Sequence, residues 1–420
     1  MPRPTAGTAG TTGKDRKLAQ TYRRFAEVDA AKISPLYERI ALALSESDDA
    51  LGAIETLPAR KRHPALVLAA LHNLALTGHA QPLATAYTAA AAASRHTTPP
   101  GPAPTSAPTD ASAPSDASAR TDAIARTDAT APARADALGQ ADAVVRADAA
   151  ANAAIGTLVG MTEAVVDVVA RRKVRANVAG NHAVLYPAVA EVARRVGASS
   201  VGLIDVGCSA GFNLNVDRVG ITYGNGQSLG DPSSPVQSSA AVVGDLPLPM
   251  QAMPEVVARI GVDLEPIDTT DADEARWLRA CLPPDQPERI ARLERELELA
   301  AMAPPFLMQD EAVEVLPDAL ARVPVDALPV AITTWALSDL VLESRLRFLQ
   351  RLDEAATERP IAWVSVEGVG VAPAIPTFGD RHASGHSIIG LAVFNHSTLH
   401  AEAVGRCWLR GQMLAWLTES

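Results

Sequence analysis

Aromatic residues are scarce in this chain, at 4% of 420 residues, and none falls between Tyr87 and Tyr186. Basic runs are absent as well: 37 Lys and Arg stand against 48 Asp and Glu, for a formal charge of -11. That balance makes the chain a poor candidate for non-specific nucleic-acid binding, which draws its affinity from clustered cations on phosphates, while leaving open an RNA substrate held by a local patch. Cysteine is nearly missing, and Cys208, Cys281 and Cys407 lie far apart. No disulfide framework or CxxC zinc pattern follows from them, and a reducing compartment suits them best. The N-terminal MPRPTAGTAGTTGKDRK has no apolar segment of the kind a signal peptide needs. The early apolar run from Ala65 to Leu76 is interrupted by His72 and Asn73 and is too short to span a bilayer. The expectation is a cytoplasmic protein with no membrane partner.

What is present is enough apolar material for a real core, 48% of the chain, and a length suited to two or three domains. Residues 1–15 are small and polar and read as a disordered tail. Residues 16–95 read as a helical cap. Ser34-Pro35 is an N-cap followed by proline at the first helical position, His63-Pro64 opens another helix, and Gly78 stands where a C-cap would stop it. Residues 96–152 change composition abruptly. The Pro-rich first half cannot bury enough apolar surface to offset its ordering entropy, and the Ala-rich second half is a marginal helix. Its slipping Ala-Arg-x-Asp-Ala units are too short for a solenoid, and the segment reads as an inserted low-complexity linker. From 153 to 420 helices return, with a periodic run over 182–196. Apolar strands then follow at 201–205, 257–263 (short and partly helical in character), 306–309, 329–333, 361–365, 387–394 and 399–404. Helices between most of them argue for a parallel sheet covered on both faces. The short Asn395-His396-Ser397 turn suggests an antiparallel hairpin at the sheet edge.

The stretch LIDVGCSAGFNLNVDR, Leu203 to Arg218, reads as a strand that turns sharply into a helix. It is not a dinucleotide fingerprint: the three positions that need glycine hold Gly207, Ser209 and Phe212. It is not a triphosphate loop either, for Phe212 again replaces glycine and no lysine follows. Gly207-Cys208-Ser209-Ala210-Gly211 does match the G-x-S-x-G elbow of serine hydrolases, and late histidines could complete a triad. An elbow does not usually carry an aspartate two residues before its first glycine, however. The form D-x-G-x-S-x-G, from Asp205 through Gly207, Ser209 and Gly211, resembles motif I of the class I methyltransferases, which bind S-adenosylmethionine.

That resemblance implies a Rossmann-like, methyltransferase-type α/β domain and a site for the cofactor. Gly207, Ser209, Gly211 and Asn213 would approach its methionine part, with the Asp205 carboxylate offered to the cationic end. Asp263, in GVDLEP, would accept the ribose hydroxyls after the second strand, and Asp310, after Phe306–Gln309, would stand near the adenine. The wider chain resembles a bacterial family, the domain of unknown function 2332. The residues that carry this are HPALVLAALHNLAL, Asn177-x-x-Gly180 with LYPAV, DVGCSAGFNLNVDR, GDPSSPV, GVDLEPID with Trp277-Leu278, and VSVEGVG. The departure lies at Asn181 and His182, where the family usually has Arg and Ser.

A methyltransferase needs proximity, an aligned nucleophile and sometimes a base, so its catalytic residues are weakly marked. Trp335 in ITTWALSDL is a candidate for stacking a planar substrate. Glu367, after the fifth strand, is a candidate base or a partner for a substrate ammonium, and His382 and His386 of HASGH are candidates for substrate contact. Metal ligation by that histidine pair is disfavoured by Gly385 and the loop context. The expected function is methyl transfer to a small-molecule acceptor. The rivals are a non-catalytic nucleoside-binding or scaffold protein on the same fold, and a serine hydrolase using Ser209.

Overall fold

The structure is a computed structural model that describes residues 13–97, 130–175, 179–396 and 398–418. Most of the expected tail, the Pro-rich half of the insertion and Asn177 lie outside the described residues. The chain forms two units. One comprises Met1–Val174 with Arg279–Ile290, and the other comprises Arg175–Leu278 with Ala291–Ser420. The contacts therefore divide the chain near 175, whereas the composition pointed to 153.

The first unit is helical: α1 (Gly13–Val28), α2 (Pro35–Glu46), α3 (Asp48–Glu55), α4 (Pro64–Leu76), α5 (Gln81–Thr97), α6 (Thr130–Gly160) and α7 (Thr162–Arg171). Its caps follow from the residues expected to make them. Ser34 Oγ accepts from Tyr37 N–H at 2.9 Å and donates to Asp285 Oδ1 at 2.7 Å. Gly78 adopts φ +78° just past α4. That helix is apolar all round and is correspondingly buried from Leu66 to Leu71. Its His72 is buried too, and desolvation lowers its pKa to about 4, although its Nδ1 lies 3.0 Å from Leu282 O. No single described helix is long and apolar enough to cross a membrane. Ala141–Gly160 and Thr162–Arg171 reach that length only as a pair bent by 88°.

The second unit is built on one mostly parallel sheet of 11 strands. In chain order its elements are α8 (His182–Val196), β1 (Ser200–Val206), β2 (Gly220–Tyr223), β3 (Ser228–Gly230), β4 (Gln237–Val242), β5 (Glu255–Asp263), α9 (Ala272–Ala280), α10 (Pro287–Met302), β6 (Phe306–Gln309), α11 (Ala312–Ala321), β7 (Leu328–Thr334), α12 (Leu342–Ala355), β8 (Ile361–Gly368), β9 (Ser387–Asn395), β10 (Thr398–Trp408) and β11 (Met413–Trp416). The spatial order is β3-β2-β4-β11-β10-β9-β8-β7-β1-β5-β6. From β6 to β8 every pairing is parallel, and the chain runs outward one way from β1 through β5 to β6, then returns to β7 on the other side. The β1/β7 boundary is thus a topological switch point, where open α/β sheets form their ligand crevice beyond the carboxyl ends of the strands. Beyond β8 the sheet turns antiparallel through β9, β10 and β11.

Strand alternation sorts the side chains into two layers. Leu203, Val330, Ile332, Val364 and Val366 pack with Val184, Leu185 and Val189 of α8. Ile204, Val206, Ala331 and Trp363 pack instead with Leu316 and Leu320 of α11 and Phe348 and Leu352 of α12. Three expectations need correction. Residues 212–218 form a short 3-10 segment kinked at Asn215, not an α-helix, because the chain must turn into β2 within a few residues. The β9–β10 hairpin is interior, with β3 and β6 at the edges, because β11 and the β2–β4 group continue the sheet. The run ending at Asp263 is a full nine-residue strand with no helical part. ITYGNGQSLG, between Asp205 and Asp263, forms an antiparallel hairpin, β2 with β3.

Candidate functional site

Alternation places Asp205 on the α8 face of β1, among apolar neighbours, and the residue is fully buried. Its Oδ1 accepts from Asn213 Nδ2 at 3.4 Å, and its Oδ2 finds no partner among the described residues. Desolvation pushes the carboxyl up to about 7; the Asn213 amide pulls it down, and the Asp263 charge pushes it up again.

Asn213 ties three elements together. Its Oδ1 accepts from Asn181 N–H at 2.9 Å, just before α8, while its Nδ2 also donates to Thr334 Oγ1 at 3.1 Å, at the end of β7. The turn itself is left-handed at Gly207, Ser209 and Gly211, with φ of 74°, 51° and 70°. It is laced to the end of β5. Gly207 and Cys208 N–H both donate to Val262 O, and Ser209 N–H donates to Asp263 Oδ2 at 2.9 Å. Asp263 Oδ1 accepts from Glu265 N–H at 2.9 Å, and Asp310 N–H donates to Asp263 O at 3.2 Å. Asp205, Ser209, Asp263 and Asp310 are thereby gathered along the carboxyl edge of β1, β5 and β6, with Asp310 exposed. Protein neighbours account for the two glycines. A Cβ on Gly207 would lie 2.8 Å from Ala336 Cβ, and one on Gly211 would lie 3.1 Å from Pro305 Cγ.

His182 and Glu296 form a wholly buried pair behind this cluster. His182 Nε2 lies 3.0 Å from Glu296 Oε1, which also accepts from Gly180 N–H at 3.1 Å. Burial works to raise the Glu296 pKa, but His182, the Gly180 N–H and Arg292 hold it below its ordinary value. The ring occupies the space that a Cβ on Gly180 would need. Sequence reading singled out His182 but missed Glu296. The signal was there, since Glu296 falls on the buried α10 face with Leu293, Leu297 and Ala300. The bond of Thr334 to Asn213 depends on strand register, which a single sequence does not show.

Glu367 is buried on the opposite face of the sheet from Asp205. Its Oε1 accepts from Leu337 N–H at 3.1 Å, its Oε2 finds no partner among the described residues, and desolvation raises its pKa to about 7 against bonds from Leu337, Ala336 and Thr333. It clamps the loop after β7 and does not join the Asp205 cluster. Trp335 does border the cluster. It is left-handed at φ 57°, its N–H donates to Val366 O, and its Nε1 donates to Ser387 Oγ at 2.8 Å. His386 Nε2 lies 2.8 Å from Asp380 Oδ2, which also binds Arg406, and His382 is exposed beside Gly370. No histidine hydrogen-bonds Ser209 among the described residues, and no group of three or more His, Cys, Asp or Glu there is placed to hold a metal.

Fold and site together define a mixed α/β protein with a polar cluster at the carboxyl edge of a largely parallel sheet. The profile of a family described as "Uncharacterized protein conserved in bacteria (DUF2332)" matches residues 19–107 and 105–416, and the chain belongs to that family. No curated protein and no solved structure matches it.

Proposed function

We propose that this chain is an S-adenosylmethionine-dependent methyltransferase acting on a small-molecule acceptor. The observation that carries the reading is the joining of the β1, β5 and β6 ends through Asp263, whose carboxylate and carbonyl hold Ser209 N–H and Asp310 N–H. The donor set fits the cofactor. Asp205 Oδ2 is a buried acceptor without a partner, suited to an ammonium group. Asp263 uses each carboxylate oxygen once and retains lone pairs for two ribose hydroxyls. Asp310 would border the adenine. When bound, the cofactor supplies a methyl group activated by a sulfonium. The chain's own residues hold and orient it, and the apolar α8 face around Asp205 excludes water.

The second reading, a non-catalytic nucleoside-binding or scaffold protein, is favoured by one observation: the Asp263 carboxylate already serves two backbone N–H groups as a turn residue would. The hydrolase reading has less support. Ser209 is left-handed, as a strained nucleophile can be, but among the described residues no histidine reaches it, and the turn is followed by a 3-10 segment and not by an α-helix.

Calorimetric titration with S-adenosylmethionine and S-adenosylhomocysteine tests the proposal. Wild type should bind saturably one to one, and Asp263→Ala should weaken binding roughly tenfold to a hundredfold with circular dichroism unchanged. No binding by folded wild type overturns the reading. Binding of both ligands with no methyl transfer supports the scaffold reading.

A further inference from the structure

The charge on Asp205 depends on which way the Asn213 amide faces. Asn213 Nδ2 donates to Asp205 Oδ1 at 3.4 Å and to Thr334 Oγ1 at 3.1 Å, and a bond given to a carboxylate favours its ionised form. The same amide turned end for end would set its oxygen against the carboxylate and favour the neutral acid. The other end of the amide prevents that turn. Asn213 Oδ1 accepts from Asn181 N–H at 2.9 Å and from Asn181 Nδ2 at 3.3 Å. A backbone N–H can only donate, so Asn181 fixes which end of Asn213 is the oxygen.

Asn181 keeps its place because both of its chain neighbours are tied to one carboxylate. Glu296 Oε1 accepts from Gly180 N–H at 3.1 Å, and His182 Nε2 lies 3.0 and 3.1 Å from the two Glu296 oxygens. One turn earlier on α10, Arg292 Nη2 donates to Gly180 O at 3.1 Å. His182 Nδ1 is buried with no partner among the described residues, so the ring is held through Nε2–H alone, which an ionised carboxylate accepts. The seat is tight, for a Cβ on Gly180 would lie 2.2 Å from His182 Cε1 and Nε2. Glu296 itself is fully buried on a helix face it shares with Leu293, Leu297 and Ala300. A carboxylate there is costly to desolvate, and leucine would pack as well, so its bonds to Gly180 and His182 are its task. The titratable groups that act on Asp205 are Asp263 at the end of β5 and Cys208 in the turn. α8 brings His182 to this end of the sheet, α10 brings Glu296 and Arg292, and β7 brings the Thr334 hydroxyl.

We propose that Glu296 is a positioning residue for Asp205: by holding Gly180 and His182 it fixes Asn181, Asn181 fixes the Asn213 amide, and the amide sets the charge of the carboxylate. As a statement about Asp205 this stands on the bonds alone. As tuning of an ammonium subsite it rests on the methyl-transfer reading. The sign of the effect separates positioning from simple repulsion. Deleting the Glu296 charge would, through space, make Asp205 easier to ionise, whereas releasing Asn213 makes it harder.

The test is an NMR titration of the full chain, isotope-labelled at the aspartate carboxyl carbon, with the Asp205 signal identified as the one lost in Asp205→Asn. Glu296→Leu should raise the Asp205 midpoint by about one pH unit, and Glu296→Gln, which keeps an oxygen for Gly180 N–H and His182 Nε2–H, should leave it at the wild-type value. Because Glu296→Leu could disturb folding, Asn181→Ala provides a half-buried variant that loses only the Nδ2 bond and should move the midpoint the same way by a smaller step. A midpoint unmoved or lowered in the folded variants overturns the proposal, and so does an equal rise in Glu296→Gln. Calorimetric titration with S-adenosylmethionine runs in parallel, and the rise of affinity with pH should be displaced upward in Glu296→Leu by the same step as the carboxyl. A shifted carboxyl in a protein that does not bind S-adenosylmethionine would sink the methyl-transfer reading and leave the positioning role standing.

Discussion

Asp205 and Glu367 are alike in almost every local respect. Each is a carboxyl at the end of a parallel strand, each is buried, each has one oxygen without a partner among the described residues, and burial raises each to a pKa of about 7. They differ in the face they occupy. Asp205 points to the α8 layer, where its only partner among the described residues is the side-chain amide of Asn213. Glu367 points to the α11/α12 layer, where backbone N–H groups of the loop after β7 meet it. A carboxylate that clamps backbone has a structural task in the protein itself. One that is buried, strained toward neutrality and held by one amide among the described residues does little for the fold, and under the proposed function its task is the ligand.

The largest expected effect separates the two by pH. Both native pKa values lie above the ordinary 3.8 and 4.5, so the native state keeps protons that the unfolded chain loses. Stability from these groups therefore falls as pH rises from about 4 through about 7 and stays low above it. Asp205→Asn should raise stability at pH 8 by up to ~4 kcal/mol, with little change near pH 4. Glu367→Gln should gain less, because the ionised form is the better acceptor for Leu337 N–H. Urea unfolding at both pH values reads this directly; equal stability of wild type and Asp205→Asn at pH 8 would mean Asp205 is not desolvated as described.

Ligand binding should separate them more sharply in kind. An ammonium beside Asp205 favours its ionised form, so affinity for S-adenosylmethionine should rise between pH 6 and pH 8 in wild type and be flat in Asp205→Asn. Glu367→Gln should keep the wild-type profile. Next in size is Asn213→Ala, which removes the link among Asn181, Asp205 and Thr334 and should cost about 1–3 kcal/mol of stability through buried groups left unpaired. The smallest effect belongs to Ser209→Ala. Its bonds among the described residues run through the backbone, N–H to Asp263 and carbonyl from Ile267 N–H, so S-adenosylhomocysteine affinity should change less than threefold, and a fluorophosphonate probe should not label the wild-type residue.

Much of the sheet was legible because β1 and β5–β10 are apolar runs bounded by turn residues, and α8 begins and ends where its periodicity does. β4 and β11 were not. QSSAAV alternates small residues with little contrast in polarity, and MLAW is four residues at the chain's end. The Asp205, Asp263 and Asp310 series was legible from order along the chain. The opposition of Asp205 and Glu367 was not, because it depends on the register of β1, β7 and β8, which puts residues of like sequence context on opposite faces. Trp335 and Glu367 looked like similar strand-end candidates. Only the backbone strain at the first and the backbone bonds at the second distinguish them.

The central claim is that Asp205 is retained for a ligand and Glu367 for the loop. Thermal unfolding of wild type, Asp205→Asn and Glu367→Gln, with and without S-adenosylhomocysteine near 100 times its wild-type Kd, tests it most directly. Wild type and Glu367→Gln should gain about 2.7 kcal/mol, a rise of a few degrees in Tm, and Asp205→Asn should gain markedly less. An undiminished rise in Asp205→Asn would contradict the account, and so would a rise lost in Glu367→Gln alone.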